Sequence, residues 1–270
     1  MRYLIIFMAF GLSGFYSTGH AAGTSTEQLS RVNSFAIAGT EGEQYIAATE
    51  RGLFRSDDHG HTWNAYEEFR LPATLVTTTT PGTVYAFVIT RGLLQLDPKS
   101  NQWREVNNQF GSQYLRQLSA TSRAPARLIA LNQYGKFIVS DNYGIEWNKL
   151  SGPYKPKTSE EERGQKLYIE KCQSCHGKDG VGENYSIAAL TNKEYLMAPA
   201  LDASAHAWHH TDEALQTIIL EGSTRTKRMA AWKNAGVSDE DAHDLVAYVK
   251  SLWTQRELDC QGPKHMQCMQ

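Results

Sequence analysis

The chain has 270 residues, with 27 Lys and Arg against 29 Asp and Glu, and a formal net charge of -2 at pH 7. That balance gives no electrostatic case for nucleic acid or an anionic membrane as partner. The length suits one or two domains, and 41% hydrophobic with 21% charged residues describes a globular chain rather than a disordered or fibrous one.

The N-terminus reads as a secretory signal peptide over residues 1–22. Met1-Arg2 supplies a positive start, Tyr3 to Phe15 is apolar, and Ser17-Thr18-Gly19-His20-Ala21-Ala22 offers small residues before a cut. The apolar run is shorter than the ~20 residues that span a bilayer. No Cys lies near the expected cut, which argues against a lipid anchor, and no later segment is apolar enough to cross a membrane. The expected address is the periplasm, with no membrane span after cleavage.

Residues 28–152 contain an internal repeat. Its clearest copy is Gly52-Leu53-Phe54-Arg55-Ser56-Asp57-Asp58-His59-Gly60-His61-Thr62-Trp63. Another runs from Gly135 to Trp147, with Asn142 in place of the second Asp and Glu146 in place of Thr. Between them a worn copy, Arg91 to Asp97, ends at Trp103. Trp63, Trp103 and Trp147 are thus 40 and 44 residues apart, and a β-like run precedes each copy. A period near 40 built of short strands predicts propeller blades. The S-x-D-x-G-x-T-W pattern resembles the Asp-box, or BNR, repeat of sialidase-like and photosystem-assembly-type propellers. In it an Asp caps a turn and a Gly takes positive φ. The role is structural, so Asp57 and Asp58 are expected to be turn residues and not metal ligands. Three copies fall short of the ~4 blades a closed ring needs. The domain is therefore a partial propeller, or degenerate strands complete it, or two chains combine their blades. Self-association through this domain is one expectation, because open sheets invite pairing.

Residues 153–158 form a linker, in which Pro153 and Pro156 preclude regular structure. From 159 the pattern turns helical. Ser159-Glu160-Glu161-Glu162 puts acidic residues in a first helical turn. Gly164, Tyr168 and Cys172 follow at four-residue spacing. A later helix begins at Ser238-Asp239-Glu240-Asp241 and carries the apolar stripe Leu245, Val246, Tyr248, Val249 and Leu252.

Cys172-Gln173-Ser174-Cys175-His176 is a C-x-x-C-H motif. Alone it also suits a thioredoxin-like redox pair or half of a zinc site. In an exported chain, with a helix before it and a stripe of apolar and aromatic residues closing the segment, it points to haem attachment. Residues 159–256 as a whole resemble a class I cytochrome c domain. The likeness is carried by Gly164 to His176, Met197 to Leu201, His206 to His210, Arg228-Met229 and Tyr248 to Trp253. The fold class is then multidomain: an N-terminal all-β partial propeller followed by an all-α cytochrome c domain.

The resemblance implies a single haem c, bound through thioethers at Cys172 and Cys175 with His176 as the proximal iron ligand. It implies that the carbonyl of Pro199 orients that imidazole, that Gly164 allows close packing near Tyr248, and that Met229 is the second iron ligand. Met197 is the alternative thioether, but it lies beside Pro199, where the family has its proximal loop. Family members usually carry Pro after the ligand Met. Here Ala230 follows, which predicts a softer loop. His206, His209 and His210 are expected to pack near the haem ahead of the helix opened by Thr211-Asp212-Glu213, rather than bind a metal. Arg225, Lys227, Arg228 and Lys233 surround Met229 and could form a basic rim that steers an acidic partner.

In the tail, residues 257–270, Cys260 and Cys268 are expected to pair as a disulfide. With His265, Met266 and Met269 they also make a soft donor set suited to Cu(I). The function expected is electron transfer without catalysis, with redox proteins as partners and the β domain as a docking module. The alternatives are a haem subunit of a periplasmic oxidoreductase, or a haem- or copper-linked sensor or assembly factor.

Overall fold

The computed structural model describes residues 24–25, 29, 31–39, 44–79, 82–121 and 123–268. The signal-peptide segment and Met269 lie outside them.

The N-terminal strands build three antiparallel meanders, whose central strands read as near-continuous apolar runs because both their faces are buried. The first comprises β2 (Val32–Ala38), β3 (Gln44–Thr49), β4 (Gly52–Ser56) and β5 (Thr62–Ala65), with the short β1 (Thr24–Ser25) added beyond β5. The second is β6 (Ala73–Thr78), β7 (Val84–Val88), β8 (Gly92–Asp97) and β9 (Gln102–Asn107). The third is β10 (Leu115–Thr121), β11 (Ala124–Asn132), β12 (Phe137–Ser140) and β13 (Asn148–Lys149). Each sheet is one propeller blade. Ile46, Leu53, Val76, Ala86 and Leu94 belong to the core between blades 1 and 2. Tyr85, Leu93, Leu115, Leu118 and Leu128 belong to the core between blades 2 and 3.

The Asp-box turns are built alike in blades 1 and 3. Asp58 accepts from the Thr62 N–H at 2.8 Å and from the Ser56 hydroxyl at 2.8 Å. Asn142 takes the same place, accepting from the Glu146 N–H at 2.9 Å and the Ser140 hydroxyl at 3.0 Å. The amide oxygen substitutes for the carboxylate because the turn needs only an acceptor. The indole N–H groups of Trp63 and Trp147 donate to the carbonyls of Gly60 and Gly144. Blade 2 keeps a reduced version, in which Asp97 accepts from the N–H groups of Lys99 and Ser100.

The helical part follows as α1 (Ser159–Lys171), α2 (Gln173–His176), α3 (Ile187–Thr191), α4 (Asp212–Glu221), α5 (Asp239–Ser251), α6 (Gln255–Asp259) and α7 (His265–Cys268). Thr158 caps α1 by accepting from the Glu161 N–H, and Ser238 with Asp241 forms a capping box on α5. Crossing of α1 and α5 makes the core, in which Tyr168, Leu245, Tyr248 and Leu252 are buried together. Gly164 sits at the crossing. A Cβ there would lie 2.0 Å from the Asp244 carbonyl oxygen and 2.9 Å from the Tyr248 Cβ. Beside it, Arg163 makes two hydrogen bonds to the buried Asp244 carboxylate, at 2.6 and 2.9 Å.

The two domains touch through the loop between β9 and β10. Ser112 N–H donates to the Val181 carbonyl at 3.2 Å, and Gly111 N–H to Asn184 Oδ1 at 2.6 Å. Deeper in, the buried Asn132 amide donates to Gln113 Oε1 at 2.8 Å, and Gln113 in turn donates to Asp202 at 3.4 Å. The Cys260–Cys268 disulfide closes the tail, with Cα atoms 6.0 Å apart. Among the described residues no helix is long and apolar enough to cross a membrane.

Gly164→Ala should cost about 3 kcal/mol, because its Cβ meets backbone that cannot rotate away. Urea unfolding followed by far-ultraviolet circular dichroism measures it. A loss under about 1 kcal/mol, the cost of an ordinary volume-conserving swap, would show that the helices can separate freely.

Candidate functional site

Cys172, Cys175 and His176 lie on one tight helical stretch that continues α1. The Cys172 N–H still bonds to the Tyr168 carbonyl, and the N–H groups of Cys175 and His176 both bond to the Cys172 carbonyl. Side chains three and four apart on such a turn share a face, so both thiols and the imidazole are presented together. Both cysteines are free thiols. Cys172 packs at the edge of the helical core formed by Tyr168, Leu245, Tyr248 and Leu252. Burial, and then the neighbouring Cys175, push its thiol up to about 11. A thioredoxin-like pair needs the opposite shift, toward a thiolate at neutral pH. Among the described residues no group of three or more His, Cys, Asp or Glu side chains is placed to hold a metal ion.

His176 is buried. Its Nδ1–H donates to the Pro199 carbonyl at 2.8 Å. That bond fixes the ring plane and the tautomer and leaves the Nε2 lone pair free, which is the arrangement of a ligating histidine. Burial lowers the imidazole's pKa, against the raising effects of the Pro199 bond and of Glu183, so the ring favours its neutral, ligating form.

The segment carrying Pro199 is held from several directions. The Leu201 N–H and the Asp202 N–H both bond to the Gly180 carbonyl, at 2.7 and 3.1 Å. Trp253 Nε1–H donates to the Leu201 carbonyl at 2.9 Å. Tyr168, fully buried, donates its hydroxyl to the Gly177 carbonyl at 2.7 Å. The β domain reaches the same segment through Gln113 and Asp202.

Met229 lies half-buried in the loop between α4 and α5, and its carbonyl accepts from the Ser223 N–H at 3.0 Å. Met197 is two residues from Pro199, on the irregular segment whose Pro199 carbonyl meets the imidazole at its Nδ1. The side chains expected to form a basic rim are not all free. Arg228 forks onto Glu183, with both bonds at 2.8 Å, and donates as well to the Leu196 carbonyl at 2.8 Å. Lys233 pairs with Glu221. Glu183 also accepts from the Tyr195 hydroxyl at 2.6 Å and the Ala198 N–H at 2.8 Å. Glu183 was not visible as a site residue in the sequence. Its role depends on a partner 45 positions away, and no motif spacing signals that.

His206, His209 and His210 sit on the turn before α4. The ring of His209 stacks on His265 of the tail, centroids 4.4 Å apart, and Trp208 is buried beside them. His209 and Trp208 thus pack against the tail through His265, and the His210 carbonyl accepts from Gln261. The tail disulfide removes both cysteine sulfurs as thiolate donors, so the copper alternative loses its anionic ligands.

The residues present fit a haem c. Two free thiols stand one turn apart, a neutral imidazole is oriented through its far nitrogen, and an apolar edge surrounds Cys172. The helix α4 adds Leu215, Ile218, Ile219 and Leu220, none fully buried.

Residues 159–249, about a third of the chain, match the family model described as cytochrome c oxidase, cbb3-type, subunit III. The C-terminal domain is thus a class I c-type cytochrome domain, and the match implies covalently bound haem c. A comparison with curated proteins finds no match. Among solved structures the β domain is similar to YCF48 bound to D1 peptide, with 17% identity over 44% of this chain and 39% of that one and a TM-score of 0.36. It is similar also to the GH74 xyloglucanase from Xanthomonas campestris, with 15% identity over 49% of this chain and 25% of that one and a TM-score of 0.37. YCF48 from Cyanidioschyzon merolae gives 16% identity, 43% and 35% coverage, and a TM-score of 0.34. The chain spans less than half the length of each, and the propeller assignment stands on the sheets themselves.

The Glu183 cluster makes a pH-dependent contribution to stability. Burial opposes its ionisation, but the bonds from Arg228, Tyr195 and the Ala198 N–H prevail and hold the carboxyl at about 2. In the unfolded chain it returns to ~4.3. A lowered folded value means that stability is present above the unfolded value and is lost as pH falls toward 2. Glu183→Gln should therefore cost about 2 kcal/mol at pH 7 and remove that part of the acid sensitivity between about pH 4.5 and 2. Thermal melts of both proteins across that range check it. Parallel curves would refute the assignment.

Proposed function

We propose that this protein is an exported, periplasmic carrier of single electrons, with one haem bound at Cys172, Cys175 and His176 and with Met229 as the second iron ligand. The observation that supports this most is the hydrogen bond from His176 Nδ1–H to the Pro199 carbonyl, because only a ring held in that way offers Nε2 at a fixed angle. When bound, the haem supplies one-electron chemistry at its iron. The chain's own residues do the rest. The two cysteines tether the group, His176 orients it, and a thioether at Met229 raises the potential and closes the iron to small ligands.

The β domain is a docking module in this reading. It fastens behind the proximal segment through Ser112, Gln113 and Asn132. The loop carrying Met229 and the cations Arg225 and Lys227, which make no ion pair among the described residues, is left to meet a redox partner. The export address rests on residues 1–22.

Expression in a periplasm with haem-attachment machinery should yield protein that keeps its haem on a denaturing gel, one per chain, with the weak long-wavelength absorption of methionine-ligated ferric haem. Met229→Ala should abolish that band, lower the potential by on the order of 100 mV and open the iron to carbon monoxide. A wild-type iron that already binds carbon monoxide rapidly would overturn the carrier reading in favour of a sensor. A Met197→Ala variant that alone loses the band would move the ligand.

A further inference from the structure

The register of the three blades makes their faces comparable residue by residue. Phe35, Val76 and Leu118 stand opposite Ala47, Ala86 and Ala130, which stand in turn opposite Phe54, Leu94 and Ile138. These positions form the leading face of each blade. On the other side, Ala48, Phe87 and Leu131 stand opposite Leu53, Leu93 and Phe137, forming the trailing face. Each internal seam packs the trailing face of one blade on the leading face of the next, as the two inter-blade cores show.

Among the described residues two faces have no neighbouring blade, the leading face of blade 1 and the trailing face of blade 3. On the first, Ala47 and Phe54 are as buried as their equivalents, at 1% each, and the departure is confined to β2; on the second it falls at Phe137. Val76 and Leu118 are 1% and 5% exposed in their seams, whereas Phe35 at the same position is 70% exposed. Leu53 and Leu93 are both 0% exposed, whereas Phe137 is 54% exposed. Ile37, beside Phe35 on β2, is exposed too. Leu29, Tyr45 and Ala65 pack against the buried Ala47, Phe54 and Trp63 on this side of blade 1, which leaves Phe35 and Ile37 of β2 as its exposed part. Among the described residues, Phe35, Ile37 and Phe137 occupy seam positions without a neighbouring blade.

We propose that two copies of this chain close into one six-bladed ring, the trailing face of blade 3 in each copy packing on the leading face of blade 1 in the other. Both free faces belong to the same repeat, and each is the natural complement of the other. An occupant that presents both at once is a second copy of this chain. Two sets of three blades give six, inside the range of roughly 4 to 8 at which propellers close. The contact is head-to-tail and closes after two copies, so it ends in a defined ring and not a fibre.

The polar residues of the free trailing face suit a seam. Gln117 stands opposite Leu131 as Ser34 stands opposite Ala48. In the first seam the Ser34 hydroxyl accepts from the Val76 N–H at 2.6 Å and donates to the Val76 carbonyl at 3.3 Å. A polar side chain at this position therefore reaches backbone across the seam, and Gln117 is placed to do so in the ring.

Light scattering on the haem-loaded protein should give twice the chain mass. Phe35→Asp and Phe137→Asp should each give monomers at the same concentration, with haem absorbance and circular dichroism unchanged, since both side chains are exposed within one copy. An equimolar mixture of the two should associate at lower concentration than either alone. In that mixed pair Phe35 of one chain meets Phe137 of the other, and one seam is intact. A monomeric wild type, a dimer indifferent to both substitutions, or a mixture no tighter than either variant would overturn the proposal.

Discussion

A metal-ligating imidazole is useful only if its far nitrogen is held, and here that hold is one bond, from His176 Nδ1–H to the Pro199 carbonyl at 2.8 Å. Everything near it is arranged to keep that carbonyl in place. Gly180 and Trp253 pin Leu201, and Gly180 also pins Asp202. Ala198 is tied to Glu183 and so to Arg228. Three parts of the chain thus converge on five residues: the helical core through α5, the loop carrying Met229, and the β domain through Gln113.

Arg228 and Glu183 bear on the loop that the sequence marks as weak. The proline that the resemblance leads one to expect after Met229 is replaced by Ala230, which removes a rigid φ. The structure gives rigidity by another route. The guanidinium one residue before Met229 is fixed by two parallel bonds to a half-buried carboxylate, a geometry worth more than an exposed pair. It also donates to the Leu196 carbonyl. One fork therefore joins the loop carrying Met229 to the segment that leads into Pro199. The same pairing withdraws Arg228 from the basic rim, so the positive charge offered to a partner is smaller than the run of Lys and Arg suggests.

The parts legible in the sequence were those with a period or a motif. The forty-residue spacing of the tryptophans announced the blades, because each blade repeats one turn with one packing role for its indole. C-x-x-C-H with Gly164 and Tyr168 announced the helical site, because the chemistry and the helix period both constrain those positions. Pro199 and Met229 came from resemblance, since no spacing rule singles out either residue. The parts that stayed hidden were pairwise. Gln113 with Asp202, Gly111 with Asn184 and Glu183 with Arg228 are single polar contacts between residues far apart in sequence. Nothing in one chain's pattern marks a lone Gln as an interdomain bond. The exposure of Phe35 and Phe137 was hidden too, since both look like core residues until the blades are counted in space.

The junction between the domains bears on how the protein can work. Asn132 is buried, Gln113 nearly so, and Asp202 buried with them, and each finds a hydrogen-bond partner. Pulling the domains apart would leave several of these groups to find new partners at once, and a buried polar chain is costly to satisfy only in part. The contact is short and polar, so it orients more than it stabilises. It lies on the Pro199 side of His176. If the β domain docks a partner, as proposed, this contact would hold that partner at a fixed distance and angle from the Cys172–His176 stretch. A β domain joined only by the linker at 153–158 would allow docking but would leave the distance to chance; the Asn132–Gln113–Asp202 chain removes that freedom.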